Sequence, residues 1–420
     1  MITALDIRKR PGLGGKLTKT AVALPSAFLM AVAVGLLQLG MIFYLREVKL
    51  LSPASIGLFA AFWWLSYSAA CLLMRPVAAR LMPRLSIILS TALVGAFVLI
   101  MFSTERILLT YLFYALAGVA MSLFWPPLMG WLSYGLEGPA LNLAISRFNL
   151  SWSLGMVVSP FITGLLSERS PELPIYTAAG IFFGISLLVL TASLTLPVIR
   201  CDRFREPRTG RRETAPELGT PLRYPAWAGL LTTYFVLGVI FNVFPLFATE
   251  RLEISKSLVG VILLFRALAA AGAFVVLGRI SFWHDRPVYM LGTQGAIALV
   301  VLGLLVSGRL AAIVPLLALI GALSSSSYVA SIFYGVSGSS RRSTRMAVHE
   351  SLLALGVICG SICGGMLYQN VGMTSVYGLS IGLLAAGLGV QLVLLRGRRG
   401  VSARAVASGK TPQSERGGNR

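Results

Sequence analysis

Acidic residues are scarce in this chain: 15 Asp and Glu stand against 36 Lys and Arg in 420 residues, with two histidines and four cysteines. Charged residues of both signs make up 12%, about half of the roughly 25% usual in soluble domains. Cys71, Cys359 and Cys363 fall in apolar runs and Cys201 in a basic polar stretch. None has an outward-facing cysteine partner, so a disulfide framework is excluded. None has His or carboxylate at ligand spacing either, so no metal site is expected. Walker loops, nucleophile elbows and other catalytic or cofactor motifs are missing, so no cofactor and no enzymatic chemistry are expected.

What fills the chain is apolar. Hydrophobic residues make up 56%, mean hydropathy is +0.81, and the apolar residues come in runs of about 18–25. At 1.5 Å per residue such runs cross a ~30 Å hydrocarbon layer, and one soluble core could not bury so many uniformly apolar helices. Twelve spans are predicted, over 22–45, 55–74, 85–103, 108–131, 145–167, 175–197, 226–248, 257–278, 289–307, 311–334, 346–368 and 374–395. Backbone in lipid must pair its polar groups internally, so each is read as a helix and the chain as an all-α polytopic membrane protein. The first run is too long for a cleavable signal and has no small-residue cleavage site after it, so it is retained.

Lys and Arg set the orientation. With both termini on one side, that side carries 27 of them and the opposite side seven: Arg46, Lys49, Arg106, Arg169, Arg251, Lys256 and Arg309. The positive-inside rule then places both termini in the cytoplasm, and the plasma (inner) membrane is the expected location. The same loops account for the net charge of +21, and without a nucleic-acid motif no nucleic-acid partner is expected. The partners expected are the lipid bilayer, a small-molecule solute and protons, with a monomer as the unit.

The chain is built twice. "EVKLLSPASIG" (47–57) enters span two, and "ERLEISKSLVG" (250–260) enters span eight. Glu47, Ser52 and Gly57 match Glu250, Ser255 and Gly260, and Gly118 matches Gly321 at the same offset. In span five, "NLSWSLGMVVSPFITG" sets Asn149, Gly155 and Gly164 opposite Glu350, Gly356 and Gly365 of "ESLLALGVICGSICGG" in span eleven. The organisation is therefore a segment 1–21, a six-helix bundle 22–198, a basic linker 199–223, a second six-helix bundle 224–396 and an unstructured tail 397–420. Two parallel halves around a midplane site is a transporter plan.

On these residues the chain resembles the major facilitator superfamily over nearly its whole length. The turn "RPVAARLMPR" (75–84) keeps the family's arginines, with Ala79 and Pro83 where a Gly and an Asp would stand. "LGMVVSPFITG" resembles its antiporter motif through Gly155, Pro160 and Gly164, with Ser159 and Thr163 in place of glycines. The resemblance implies two pseudo-symmetric six-helix bundles and a secondary transporter working by alternating access, with a drug/proton-antiporter-like, proton-coupled efflux mode. A non-transporting sensor or assembly factor of the same fold is the alternative.

The candidate site residues are the polar and aromatic groups inside spans. Arg266 lies ~12 Å deep in "SLVGVILLFRALAAAGAFVVLG", where a charge costs about 2.5–3.5 kcal/mol. It either binds an anionic solute group or pairs with a carboxylate in a cavity, or it bonds backbone carbonyls or polar side chains. Trp63 is its repeat equivalent. Gln38 and Asn242 can line the cavity or join neighbouring helices, and Trp125, in "SLFWPPLMGW" (122–131), can line it or pack a kink. Glu350, one turn inside span eleven, serves either proton coupling or a gate salt bridge to Arg75, Arg80 or Arg147. His349 projects toward the face of Gly356 and Gly360, as a packed residue or a proton carrier. Asn149 is the polar repeat partner of Glu350, and Arg147 either gates or anchors at the interface. Gly356, Gly360 and Gly364 are spaced for close helix packing. If the topology is right, Thr209→Cys and Ser255→Cys label from opposite faces of the membrane; labelling of both from one face contradicts it.

Overall fold

The computed structural model describes residues 13–74, 77, 81–133, 138–196, 220–284, 286–336 and 342–407. Among these residues every regular element is a helix, and twelve helices are long and apolar enough to cross a bilayer. The first six spans are Lys19–Glu47, Pro53–Cys71, Pro83–Ser103, Ile107–Leu128, Arg147–Arg169 and Leu173–Thr195. The second six are Arg223–Glu250, Lys256–Leu277, Pro287–Val306, Leu310–Gly335, Val348–Asn370 and Met373–Arg396. Each matches an expected run to within a few residues, and the chain is an integral, multi-pass membrane protein. Arg75, Arg80 and the stretch from residue 197 through 219 lie outside the described residues.

The last helix corrects one expectation. It continues to Ala407, so the first turns of the segment expected as an unstructured tail are helical. "RGRRGVSARAVA" lacks proline and is rich in Arg, Ala and Val, which lets a helix already formed in lipid propagate. The first helix likewise begins at Leu13, inside the segment ahead of the expected span.

The repeat is visible in the backbone. Ser52 caps span two by accepting from Ser55 N at 3.3 Å, and Ser255 caps span eight by accepting from Leu258 N at 3.2 Å. Just before each cap a non-glycine residue turns left-handed, Leu50 at φ 54° and Glu253 at φ 53°. Within each half span one or seven packs on five or eleven and on six or twelve, and span two or eight packs on four or ten. Trp63 O faces Gly118 in one half, as the carbonyl of Arg266 faces Gly321 in the other.

Helix breaks are repaired by neighbours. Span four divides between Met121 and Trp125, because Pro126 and Pro127 cannot donate to the preceding turn. Ser86 and Ser90 of span three donate to the Leu123 and Ala120 carbonyls at 2.8 and 2.7 Å. The polar groups that the break releases are thereby kept out of lipid.

The halves meet at two crossings. Span two runs along span eleven, and span five along span eight. Gly57 abuts the Ser361 carbonyl, and its repeat mate Gly260 abuts that of Pro160. Gly365 faces Pro53 O and Gly164 faces Lys256 O, again in matching register. These contacts sit near the ends of the spans on the face opposite the termini. Gly57→Val should therefore separate the halves there, lengthening the distance between spin labels on Glu105→Cys and Glu253→Cys. Gly356→Val meets the Leu231 carbonyl within one half (Cβ at 2.6 Å) and should instead cost about 1–3 kcal/mol of stability. An unchanged label distance in Gly57→Val would mean that the crossing does not hold the halves together.

Candidate functional site

On the face opposite the termini the halves are joined by reciprocal ion pairs. Arg46 of span one pairs with Glu250 of span seven, and Lys256 of span eight pairs with Glu47 at 2.6 Å. Glu47 and Glu250 are repeat mates, so each half offers the same carboxylate to the other half's base. Tyr368 donates to Glu250 at 2.8 Å, Lys256 also donates to Ser167 O at 3.1 Å, and Ser257 N donates to Glu168 at 3.0 Å. Ala54 N donates to Gln369 at 3.2 Å. This mouth is closed. The sequence reading had used Glu47 and Glu250 only as repeat markers; their adjacency to Arg46 and Lys256 was the available signal for the latch.

Below that seal lies a small cavity of about 10 Å³, lined by Gln38, Met41, Phe59, Trp64, Tyr114 and Asn242. It has room for about one water. Gln38 and Asn242, candidates from different halves, are thus brought together. Asn242 is nevertheless tied to its own half, donating to Gly238 O at 3.1 Å and to Ser361 Oγ at 2.8 Å. Trp63 does not line this space: it is buried against Tyr114 at 5.0 Å between ring centroids, and the next residue, Trp64, takes the cavity position. At 100° per residue, one step along the helix decides which indole faces the partner half. Trp125 packs edge-on between Phe124 and Phe148, at 4.9 and 5.8 Å.

Toward the termini face the second half presents its ionisable residues. Arg266 is 7% exposed, with its guanidinium 4.7 Å above the Phe241 ring. Its Nε has no hydrogen-bond partner, and among the described residues no carboxylate pairs with it. Tyr234 lies within electrostatic reach of both Arg266 and Glu350, and Tyr67 and Tyr328 also lie within reach of Glu350. Glu350 is exposed to solvent yet closely surrounded by protein, and the three tyrosines are half-exposed, which together describe the wall of a cleft. These tyrosines escaped the sequence reading, because aromatic residues in apolar spans carry no mark of the face they occupy.

The remaining candidates divide. His349 is buried, with Nδ1 2.8 Å from Ser331 Oγ and its ring edge-on to Tyr328 at 4.9 Å. It therefore meets span ten, whereas Gly356 and Gly360 meet span seven, against Leu231, Tyr234 and Phe235. His349 therefore does not join the close helix contact made by the glycines: spans cross at an angle, so residues two turns apart on one face meet different neighbours. Asn149 is exposed and accepts from Trp152 Nε1 at 3.2 Å; Arg147 is exposed. Among the described residues no ion pair joins Glu350 or Arg147. Gly364 packs against Val239 and Val243, so the glycine series serves close helix contact.

The profile of the Major Facilitator Superfamily matches residues 23–338. Among solved structures, the nucleoside transporter NupG is similar in fold, with a TM-score of 0.66 at 13% identity, covering 91% of this chain and 99% of that one. An aspartate-to-alanine variant of NupG gives 0.67 at 13% identity, covering 90% and 99%. At that identity the likeness concerns the fold alone. No curated protein matches the chain.

Glu250→Gln removes the charge that holds Arg46 and accepts from Tyr368. It should raise labelling of Gln38→Cys by an impermeant thiol reagent from the face opposite the termini, by about twofold to fivefold for a loss of about 0.4–1 kcal/mol. Combining Arg46→Glu with Glu250→Arg should restore protection. Unchanged labelling in Glu250→Gln would mean that the ion pairs do not seal this mouth.

Proposed function

The chain belongs to the major facilitator superfamily, and from that premise we propose that it is a secondary transporter whose halves rock about a cleft binding a small, negatively charged solute. Family and fold point to transport rather than enzymatic catalysis. Arg266 is the observation that carries the anionic reading. Among the described residues this full positive charge, nine-tenths buried in a span, has the face of Phe241 and nearby Tyr234 for company and no carboxylate. A cation on an aromatic face gains about 0.5–2 kcal/mol, less than the 2.5–3.5 kcal/mol of placing it in a span. An anionic group on the solute supplies the missing balance, with Tyr234 beside it.

The termini face is cytoplasmic in this proposal, from the basic bias of its loops. The sealed mouth is then the outer one, and the cleft of Tyr67, Tyr234, Tyr328 and Glu350 opens to the cytoplasm. Glu350 is the proton-accepting group, on the route between Arg266 and that mouth. When the mouth closes it pairs with an arginine from the first half, and protonation weakens the pair. The glycine series that pointed to export supports no direction here. Gly155 packs on Phe28 and Ala31 of span one, and Gly164 on span eight. Solute and proton gradients therefore set the direction of flux.

Reconstituted vesicles test this with a panel of small organic anions, with uncharged nucleosides as the comparison, under imposed pH gradients. Anion flux should depend on the gradient, fall at least tenfold in Arg266→Ala and persist in part in Arg266→Lys, with parental yields of folded protein. Glu350→Gln should uncouple flux from pH. Parental anion flux in Arg266→Ala, or flux of nucleosides alone, overturns the anionic reading; no flux of any solute overturns transport.

A further inference from the structure

The cleft that leads to Arg266 is walled by aromatic rings from both halves. In the second half Tyr328 is edge-on to Phe274 at 5.6 Å and tilted toward Tyr234 at 6.4 Å, between ring centroids. In the first half Tyr67 is edge-on to Trp64 at 6.4 Å. All five rings are half-buried, so each keeps surface that no neighbour covers. Tyr67 and Tyr328, from opposite halves, lie within electrostatic reach of each other and of Glu350, so they border one space. Among the described residues no hydrogen bond engages the Tyr234 or Tyr328 hydroxyl, whereas that of Tyr368 donates to Glu250 at 2.8 Å.

The rings are stepped along the cleft. Tyr67 is four residues from the end of span two, Tyr328 seven from the end of span ten and Arg266 eleven from the end of span eight. Tyr234 is eleven residues into span seven. From the termini face these positions are roughly 6, 10 and 16 Å deep, with Tyr234 level with Arg266. The step of about 6 Å between Tyr328 and Arg266 is one that a single ring carrying a carboxylate can fill.

Charge narrows the occupant further. Among the described residues, Arg266 stands at the deep end of this space and Glu350 at its mouth, and no ion pair joins them. One guanidinium balances one negative charge, and its fork matches the two oxygens of a carboxylate. A phosphate dianion would leave a charge unmet, on the same route as the Glu350 carboxylate. A ring meets the tyrosines edge to face or offset, a directional gain that a saturated ring of the same size lacks. Resting on the anionic reading of Arg266, we infer that the solute is an aromatic monocarboxylate. Its carboxylate lies on Arg266 beside Tyr234, and its ring lies against Tyr328 in the stretch toward Glu350.

Titration calorimetry of the purified protein at neutral pH tests this with benzoate, cyclohexanecarboxylate, benzamide and phenyl phosphate. Benzoate should bind at least threefold more tightly than cyclohexanecarboxylate, which has the same charge and nearly the same size. Benzamide and phenyl phosphate should each be at least tenfold weaker than benzoate. Tyr328→Leu should bring the two carboxylates level and Tyr328→Phe should keep them apart; the parent comparison carries the test if Tyr328→Leu does not fold. Equal affinities for the two carboxylates in the parent, both lost in Arg266→Ala, overturn the aromatic inference and leave the anionic reading standing. Phenyl phosphate binding more tightly than benzoate overturns the monocarboxylate. Carboxylate binding that survives in Arg266→Ala overturns the anionic reading and this inference together.

Discussion

Where span two crosses span eleven and span five crosses span eight, backbone lies directly on backbone, because Gly57, Gly365, Gly164 and Gly260 place no side chain between the helices. Lipid supplies little hydrophobic force to push helices together, so close van der Waals packing has to hold them. The rest of the interface between the halves follows from these two crossings. They bring Glu47 to Lys256 and Arg46 to Glu250, and they set the walls of the cleft by fixing where four spans converge. The crossings are repeat mates, so the interface between the halves has nearly the symmetry of the halves themselves.

The ionic contacts above the crossings are latches of modest strength. The Arg46 and Glu250 side chains are 37% and 25% exposed, and those of Lys256 and Glu47 are 17% and 39% exposed. Ion pairs this wet contribute about 0–1 kcal/mol each. A mouth closed by a few such contacts can reopen on the time scale of a transport cycle, whereas one closed by a buried apolar core would stay shut. The main barrier to opening is therefore the separation of packed helix backbones.

On this symmetric scaffold the chemistry is one-sided. The positions equivalent to Tyr234, Arg266, Tyr328 and Glu350 hold Ala31, Trp63, Trp125 and Asn149 in the first half. The second half also contains the buried glutamines Gln294 and Gln391 and the serine run Ser324–Ser327. Most hydroxyls in the spans donate to a carbonyl one turn back, as Thr163 does to Ser159 and Ser361 to Val357. That habit satisfies most polar groups in lipid, and Arg266 Nε is among the buried atoms left without a hydrogen-bond partner.

The sequence by itself determined the solvent, the number of spans, the doubling of the chain and the depth of Arg266, because run length, hydropathy and spacing are local and lipid penalises every unpaired backbone group alike. It also marked the glycines that set the crossings. Only the tertiary structure decided which face of each helix meets which neighbour. It turned Trp64 rather than Trp63 toward the cavity, placed His349 against Ser331 instead of beside the glycine contact, and joined Arg46 to Glu250 across 204 positions of sequence. The reason is geometric. In a span that is apolar on every side, the 3.6-residue period carries no contrast between core, cleft and lipid, so orientation is set by crossing angles and partners distant in the chain.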